Sequence, residues 1–198
     1  RFPVPFASWA VVTKAGPAPQ DYFDRLAVGL FARLRGFADE VPKPGSDWRE
    51  QARRAASPLQ LLPRDTILKH RADLDWLAHD ERTRVAAWQV LTRLHEFGAD
   101  AVPDLVWLMD DAERFKDKRD NAWQHPHLAG LVGLCKMGAE GKDAIQPIFE
   151  RLDSGVIRRN SHYSKIAVNA LVAMGVPSEE IWQHVKPDAP EANKSMED

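Results

Sequence analysis

Residues 84–111 read RVAAWQVLTRLHEFGADAVPDLVWLMDD, and their pattern decides the fold. Ala87, Val90, Leu91 and Leu94 recur at three- and four-residue spacing, which places them on one face of a helix. Gly98 interrupts that period, and a second apolar stripe follows in Val102, Leu105, Leu108 and Met109. The stretch is expected to form two helices joined by a glycine turn. A single hairpin cannot bury both stripes, but stacked hairpins bury them continuously.

The same pattern recurs on either side. AVPDLVWLM (101–109) parallels AIQPIFERL (144–152), and LDWLAHDE (74–81) echoes LVWLMDDAE (105–113). Helical stretches end at Gly98, Gly138 and Gly175, glycines spaced by 40 and 37 residues, which is the period of two-helix repeats. Leu128, Leu131, Val132 and Cys135 share one face of the next first helix, and Ala167, Ala170, Leu171 and Met174 share that of the last. Cys135, the single cysteine, falls in core phase and reads as a buried structural thiol.

These residues resemble HEAT repeats, in which a first helix, a glycine-containing turn and Ala-Val-Pro-x-Leu lead into a second helix that ends in an acidic loop. Residues 84–111 match that pattern well. Residues 124–153 keep Gly138, Ala144, Ile145 and Leu152 with a longer turn, and residues 164–185 have VPSEEI in place of Ala-Val-Pro-x-Leu. Residues 61–80 read as the second helix of a degenerate earlier unit. The resemblance covers about residues 61–186. It implies an all-α fold, a short right-handed alpha-alpha superhelix (a HEAT-like solenoid) with N-terminal helices and an extended N-terminal arm.

Upstream, Tyr22, Phe23, Leu26, Ala27, Leu30, Phe31 and Leu34 predict a helix with Asp21 as its N-cap and Gly36 near its end. VPKPGSD (41–47) reads as a loop, and residues 48–57 as a short Arg/Ala-rich helix closed before Pro58. The segment 21–60 is expected to pack on the repeats. Residues 1–20 hold prolines at 3, 5, 17 and 19, which disfavour a regular helix, yet Phe2, Phe6 and Trp9 are too apolar for a free tail. They predict an extended arm that contacts this protein or a neighbour. Residues 187–198 read as a polar, disordered tail.

Composition narrows the function classes. The formal net charge of −2 supplies no bulk positive field for nucleic acid, which is therefore not the expected partner. No apolar run approaches the roughly 20 residues that span a bilayer, so the chain is not membrane-spanning by itself. One cysteine excludes an intramolecular disulfide and leaves the compartment open, cytoplasmic or periplasmic. The chain begins at Arg1 rather than Met, so upstream sequence or a removed signal is expected. The apolar arm suggests part of a larger or membrane-associated complex.

Loops between stacked hairpins share one edge of the stack. The two richest are AERFKDKRDNAWQHPH (112–127) and SGVIRRNSHYSK (154–165). They bring Lys116, Lys118, Arg119, Arg158, Arg159 and Lys165 together with Phe115, Trp123, His125, His127, His162 and Tyr163. Bases interleaved with aromatics suit an acidic peptide, a phosphate or a polar protein face. An ordinary charged edge is the alternative, since Asp117 and Asp120 lie among the bases. Trp107 falls roughly opposite the apolar stripe of its helix, either as an interface anchor or as a cover for an adjoining helix. The seven tryptophans otherwise read as core packing.

Catalytic patterns are missing. There is no Gly-x-Ser-x-Gly and no phosphate-cradling glycine loop, and Asp110-Asp111 read as turn residues. His79-Asp80 is like the pair of HD phosphohydrolases, but His70 lies too close to serve as the upstream ligand. His125-Pro126-His127 is too unspecific for a metal site. No cofactor, metal or catalytic residue is expected. The expected function is a non-catalytic helical-repeat scaffold or accessory subunit that docks a protein partner through inter-repeat loops and the concave face. A HEAT-like enzyme (DNA glycosylase-like or chromophore lyase-like) and a nucleic-acid-binding scaffold are the alternatives.

Overall fold

The structure, a computed structural model, describes residues 20–39, 47–80, 82–110, 126–155, 157 and 162–185. Among the described residues every regular element is helical and there is no strand, so the protein is all-α. The arm 1–19, the loop 41–46, most of the two rich inter-repeat loops and the tail 187–198 lie outside the described residues.

Helix α1 spans Gln20–Asp39 and buries Ala27, Phe31 and Leu34. It starts one residue before Asp21, so Asp21 is not the cap. It sits in the first turn, where its charge favours the helix N-terminus, and pairs with Arg25 at 3.0 Å. Gly36 lies in the last turn, near the helix end as expected, and Phe37 beyond it still packs on the core. Helix α2 spans Trp48–Ala56, with Glu50 accepting from Arg53 at 2.7 Å and from Arg54 at 2.8 Å. Those bonds hold the Glu50 carboxyl down at about 2. The helix closes before Pro58, as expected. Pro58 enters the first turn of a 3-10 segment, Ser57–Leu61, where its missing N–H leaves no gap.

Helices α3 (Arg64–Leu68) and α4 (Arg71–His79) follow, the latter burying Leu74, Leu77 and Ala78. The expected helix over 85–97 is divided. It forms as α5 (Thr83–Ala86), α6 (Trp88–Leu91) and 3-10 turns over Thr92–Ala101 that Gly98 breaks with non-helical geometry, and a non-helical Ala87 separates α5 from α6. Local side-chain bonds account for the tightening. Thr92 Oγ1 donates to the Gln89 carbonyl at 2.7 Å, and His95 Nδ1 lies 2.6 Å from the Thr92 carbonyl, both three residues back. Ala87, Val90, Leu91 and Leu94 are nevertheless all buried, as their spacing requires.

Helix α7 spans Val102–Asp110 and α8 spans Pro126–Met137. A 3-10 segment, Gly138–Ala144, leads into α9 (Ile145–Asp153), followed by α10 (His162–Ala173) and α11 (Ser178–Val185). Gly98, Gly138 and Gly175 all have positive φ (66°, 57° and 87°), the left-handed geometry that other residues adopt only under strain. Ala101 and Ala144 are fully buried immediately before α7 and α9, so the two sequence echoes stand in the same structural register.

Helix α8 is the centre of the packing. It contacts α6 and the segment Thr92–Ala101 behind it, α10 ahead of it, and α7 most extensively. Gly130 and Gly133 form a notch on α8 that receives Leu105. A Cβ on Gly133 would lie 2.6 Å from Leu105 Cδ2, and one on Gly130 would run into the Leu105 carbonyl oxygen. Leu131, Leu134 and Ala129 complete this face, whereas Cys135 is only half-buried rather than in the core. The stripe centres on Leu131 and Leu134, which leaves Cys135 at its rim.

Arg93 ties the segment Thr92–Ala101 to the segment Ser57–Leu61 before it. Its buried guanidinium donates from Nη1 to the carbonyls of Leu59, Gln60 and Leu62 at 3.1, 3.2 and 2.5 Å. It also forms a two-pronged pair with Glu96 through Nε (2.6 Å) and Nη2 (3.0 Å). The orphan carbonyls at the end of Ser57–Leu61 are thereby satisfied by a charge from the following hairpin.

Candidate functional site

The sequence Asp-Leu-x-Trp-Leu occurs twice, at 73–77 on α4 and 104–108 on α7. Helical spacing turns the two leucines inward, and all four are fully buried. The Asp and Trp of each copy, three residues apart, then share a flank of the helix. In both copies an arginine from an earlier element meets the aspartate.

In the first copy Arg35 of α1 donates to Asp73 Oδ1 at 2.8 Å, and its guanidinium stacks 4.3 Å from the Trp76 ring. His70 Nδ1 lies 2.8 Å from Asp73 Oδ2, and the imidazole stacks on Phe31 at 5.2 Å. Burial pushes the Asp73 carboxyl up, but the bonds from Arg35 and His70 outweigh it and hold the group below the usual carboxylate range.

In the second copy Arg71 donates to Asp104 Oδ2, with its Nε 2.8 Å from Asp75 Oδ1 and its guanidinium 5.0 Å from the Phe97 ring. Here burial, helped by the nearby Asp75 charge, outweighs Arg71 and raises the Asp104 carboxyl above its ordinary value. Arg71 Nη1 is buried without a hydrogen-bond partner, and Asp75 Oδ1 meets Arg71 Nε as an ion pair without hydrogen-bond geometry. Trp107 does not face solvent as a bare anchor. Its half-buried indole lies between His79 (4.4 Å, 30°) and the buried Arg84 guanidinium (5.5 Å).

Of the residues singled out on the inter-repeat edge, Tyr163 packs against the core, and burial raises its hydroxyl. His127 is the second residue of α8 and His162 the first of α10. Phe115, Lys116, Lys118, Arg119, Trp123, His125, Arg158 and Arg159 lie outside the described residues, as do Phe2, Phe6 and Trp9. The structure thus brings Trp107 together with His79 and Arg84, a grouping the spacing alone did not show.

Several exposed apolar residues escaped the sequence reading, Leu61 (67%) and Val28 (59%) among them. Trp182 on α11 is 60% exposed and Val172 on α10 is 55% exposed, whereas Trp48, Trp76, Trp88 and Trp107 are all partly covered. The signal was present. Ile181 and Val185, four apart, define the buried side of α11, and Trp182 stands one step out of that phase.

A shallow cleft of about 280 Å³ is lined by Arg64, His95 and Glu96. Its polar groups are already engaged, since Glu96 binds Arg93 and Arg64 Nη2 donates to the Glu96 carbonyl at 3.2 Å. Among the described residues no group of three or more His, Cys, Asp or Glu side chains is arranged to hold a metal ion. No helix among them is long and apolar enough to cross a membrane. No protein-family model matches the chain, and neither a curated protein nor a solved structure was found to be similar to it.

Proposed function

We propose that the chain is a short, right-handed HEAT-like superhelix that serves as a non-catalytic scaffold, docking a protein partner through its inter-repeat loops and concave face. The observation that carries this reading is the structural recurrence at 73–77 and 104–108. Each unit presents the same buried leucines and the same Asp and Trp flank, and each is joined to an earlier element by an arginine. Side-by-side contact of α6, α8 and α10, with a left-handed glycine after each first helix, supports the same view.

The second seam adds a functional argument. A polar seam with incompletely bonded atoms and a raised carboxyl contributes less stability than an apolar one of the same size. Arginine and tryptophan in such a seam are residue types that anchor protein interfaces.

The test is affinity capture from the source organism with the full chain and with a variant reversed at Lys116, Lys118, Arg119, Arg158 and Arg159. A stoichiometric partner that is retained by the wild type and lost by the charge-reversed chain is the expected result. A chain that recovers nothing stoichiometric, or a partner indifferent to the reversal and to removal of residues 1–20, contradicts docking through the loops.

A further inference from the structure

We infer that the outer face of the C-terminal hairpin, α10 with α11, is a self-association surface on which a second copy of this chain packs about a two-fold axis. Helix α10 turns Ala167, Ala170 and Leu171 inward and contacts α8 on that side. Its opposite side carries Lys165, Asn169 and Val172, all exposed. Val172 on that side is 55% exposed, and α11 beside it holds the 60% exposed Trp182. Two large exposed apolar groups on one hairpin are the start of an interface core.

The charges select the occupant. Glu179 and Glu180 stand at the first turn of α11, next to the Gly175 turn, and Lys165 stands at the far end of α10. All three are exposed, and none forms an ion pair with a described residue. Seven helical residues, about 10 Å, separate Lys165 from Val172. The face therefore reads base, apolar centre, acids, an order that matches its own reverse. When a second hairpin is laid antiparallel, each Lys165 meets the partner's Glu179 and Glu180, and Val172 and Trp182 fill the middle. A two-fold interface needs only one such self-complementary patch. A purely basic partner would be opposed by Lys165, and a purely acidic one by the two glutamates.

The inference is independent of the loop docking proposed above, since a captured partner with a monomeric chain would sink only this one. The experiment is sedimentation velocity of the full 198-residue chain over about 1–100 µM at moderate salt. A concentration-dependent dimer is expected, and Trp182→Glu is expected to weaken it by about tenfold or more without changing the circular dichroism spectrum. Lys165→Glu alone should weaken it too, and Lys165→Glu combined with Glu179→Lys and Glu180→Lys should restore it. These charge swaps lie on exposed positions, so they remain informative if Trp182→Glu misfolds. A wild-type chain that stays monomeric overturns the inference and assigns Val172 and Trp182 to another occupant. So does a dimer that survives both Trp182→Glu and Lys165→Glu.

Discussion

Gly130→Ala is expected to destabilise the fold by about 2–3 kcal/mol, the cost of overpacking a helix contact that cannot move apart. The added methyl would meet the Leu105 carbonyl oxygen and lie 3.1 Å from both the backbone nitrogen and Cγ of Met109. Two of those three neighbours are backbone, so no rotamer change relieves them. Helix α7 would have to lift from α8, exposing Leu105, which is fully buried between Gly130 and Gly133. The matched control is Gly29→Ala on α1, where nothing lies within 4 Å of the new methyl. There the change should stabilise by about 0.5–1 kcal/mol, because alanine loses less backbone freedom in a helix than glycine. Urea unfolding at fixed pH reads both as opposite shifts of midpoint at constant slope. Equal and favourable shifts for both variants would mean that α7 and α8 do not approach as closely as described.

Arg93→Ala should cost about 3–5 kcal/mol, the range for removing one partner of a buried charged pair. The loss is compound. Glu96 would keep its charge in a largely buried position, and the carbonyls of Leu59, Gln60 and Leu62 would lose the donor that serves all three. Water can reach only part of this site, since Arg93 itself is buried. Arg93→Lys should recover only part of the loss, because one ammonium cannot make the forked contact to Glu96 and still serve the carbonyls. Urea unfolding of the two variants against wild type gives the measurement. An Arg93→Ala cost below about 1 kcal/mol, the worth of an exposed pair, would show that the guanidinium is solvated in solution.

Periodicity made the helical class legible, because the residues at three- and four-residue spacing around Leu91, Leu105 and Leu171 are the buried ones, whereas on α8 Val132 and Cys135 of the expected stripe are only half-buried. The turn glycines were legible for the same kind of reason, since Gly98, Gly138 and Gly175 each close an apolar stripe and each takes positive φ. Helix ends were not. Asp21 looked like a cap, but the helix already includes Gln20, so Asp21 sits in its first turn. The division of 85–97 depends on Thr92 and His95 bonding back to their own turn, and that choice is invisible to hydrophobic spacing. The arginine seams are long-range pairings, Arg35 with Asp73 and Arg71 with Asp104, so no local pattern announces them. Trp182, by contrast, could have been found from its phase against Ile181 and Val185.

The scaffold reading requires that each hairpin lean only on its neighbours, and hydrogen exchange on a chain shortened to residues 1–154 tests that directly. Deleting the last hairpin removes α10 from α8 and α11 from α9. In a ladder of nearest-neighbour contacts, α8 and α9 lose protection while α1 to α7 keep theirs. Loss of protection throughout residues 20–110 would instead show one indivisible core and would contradict the repeat architecture.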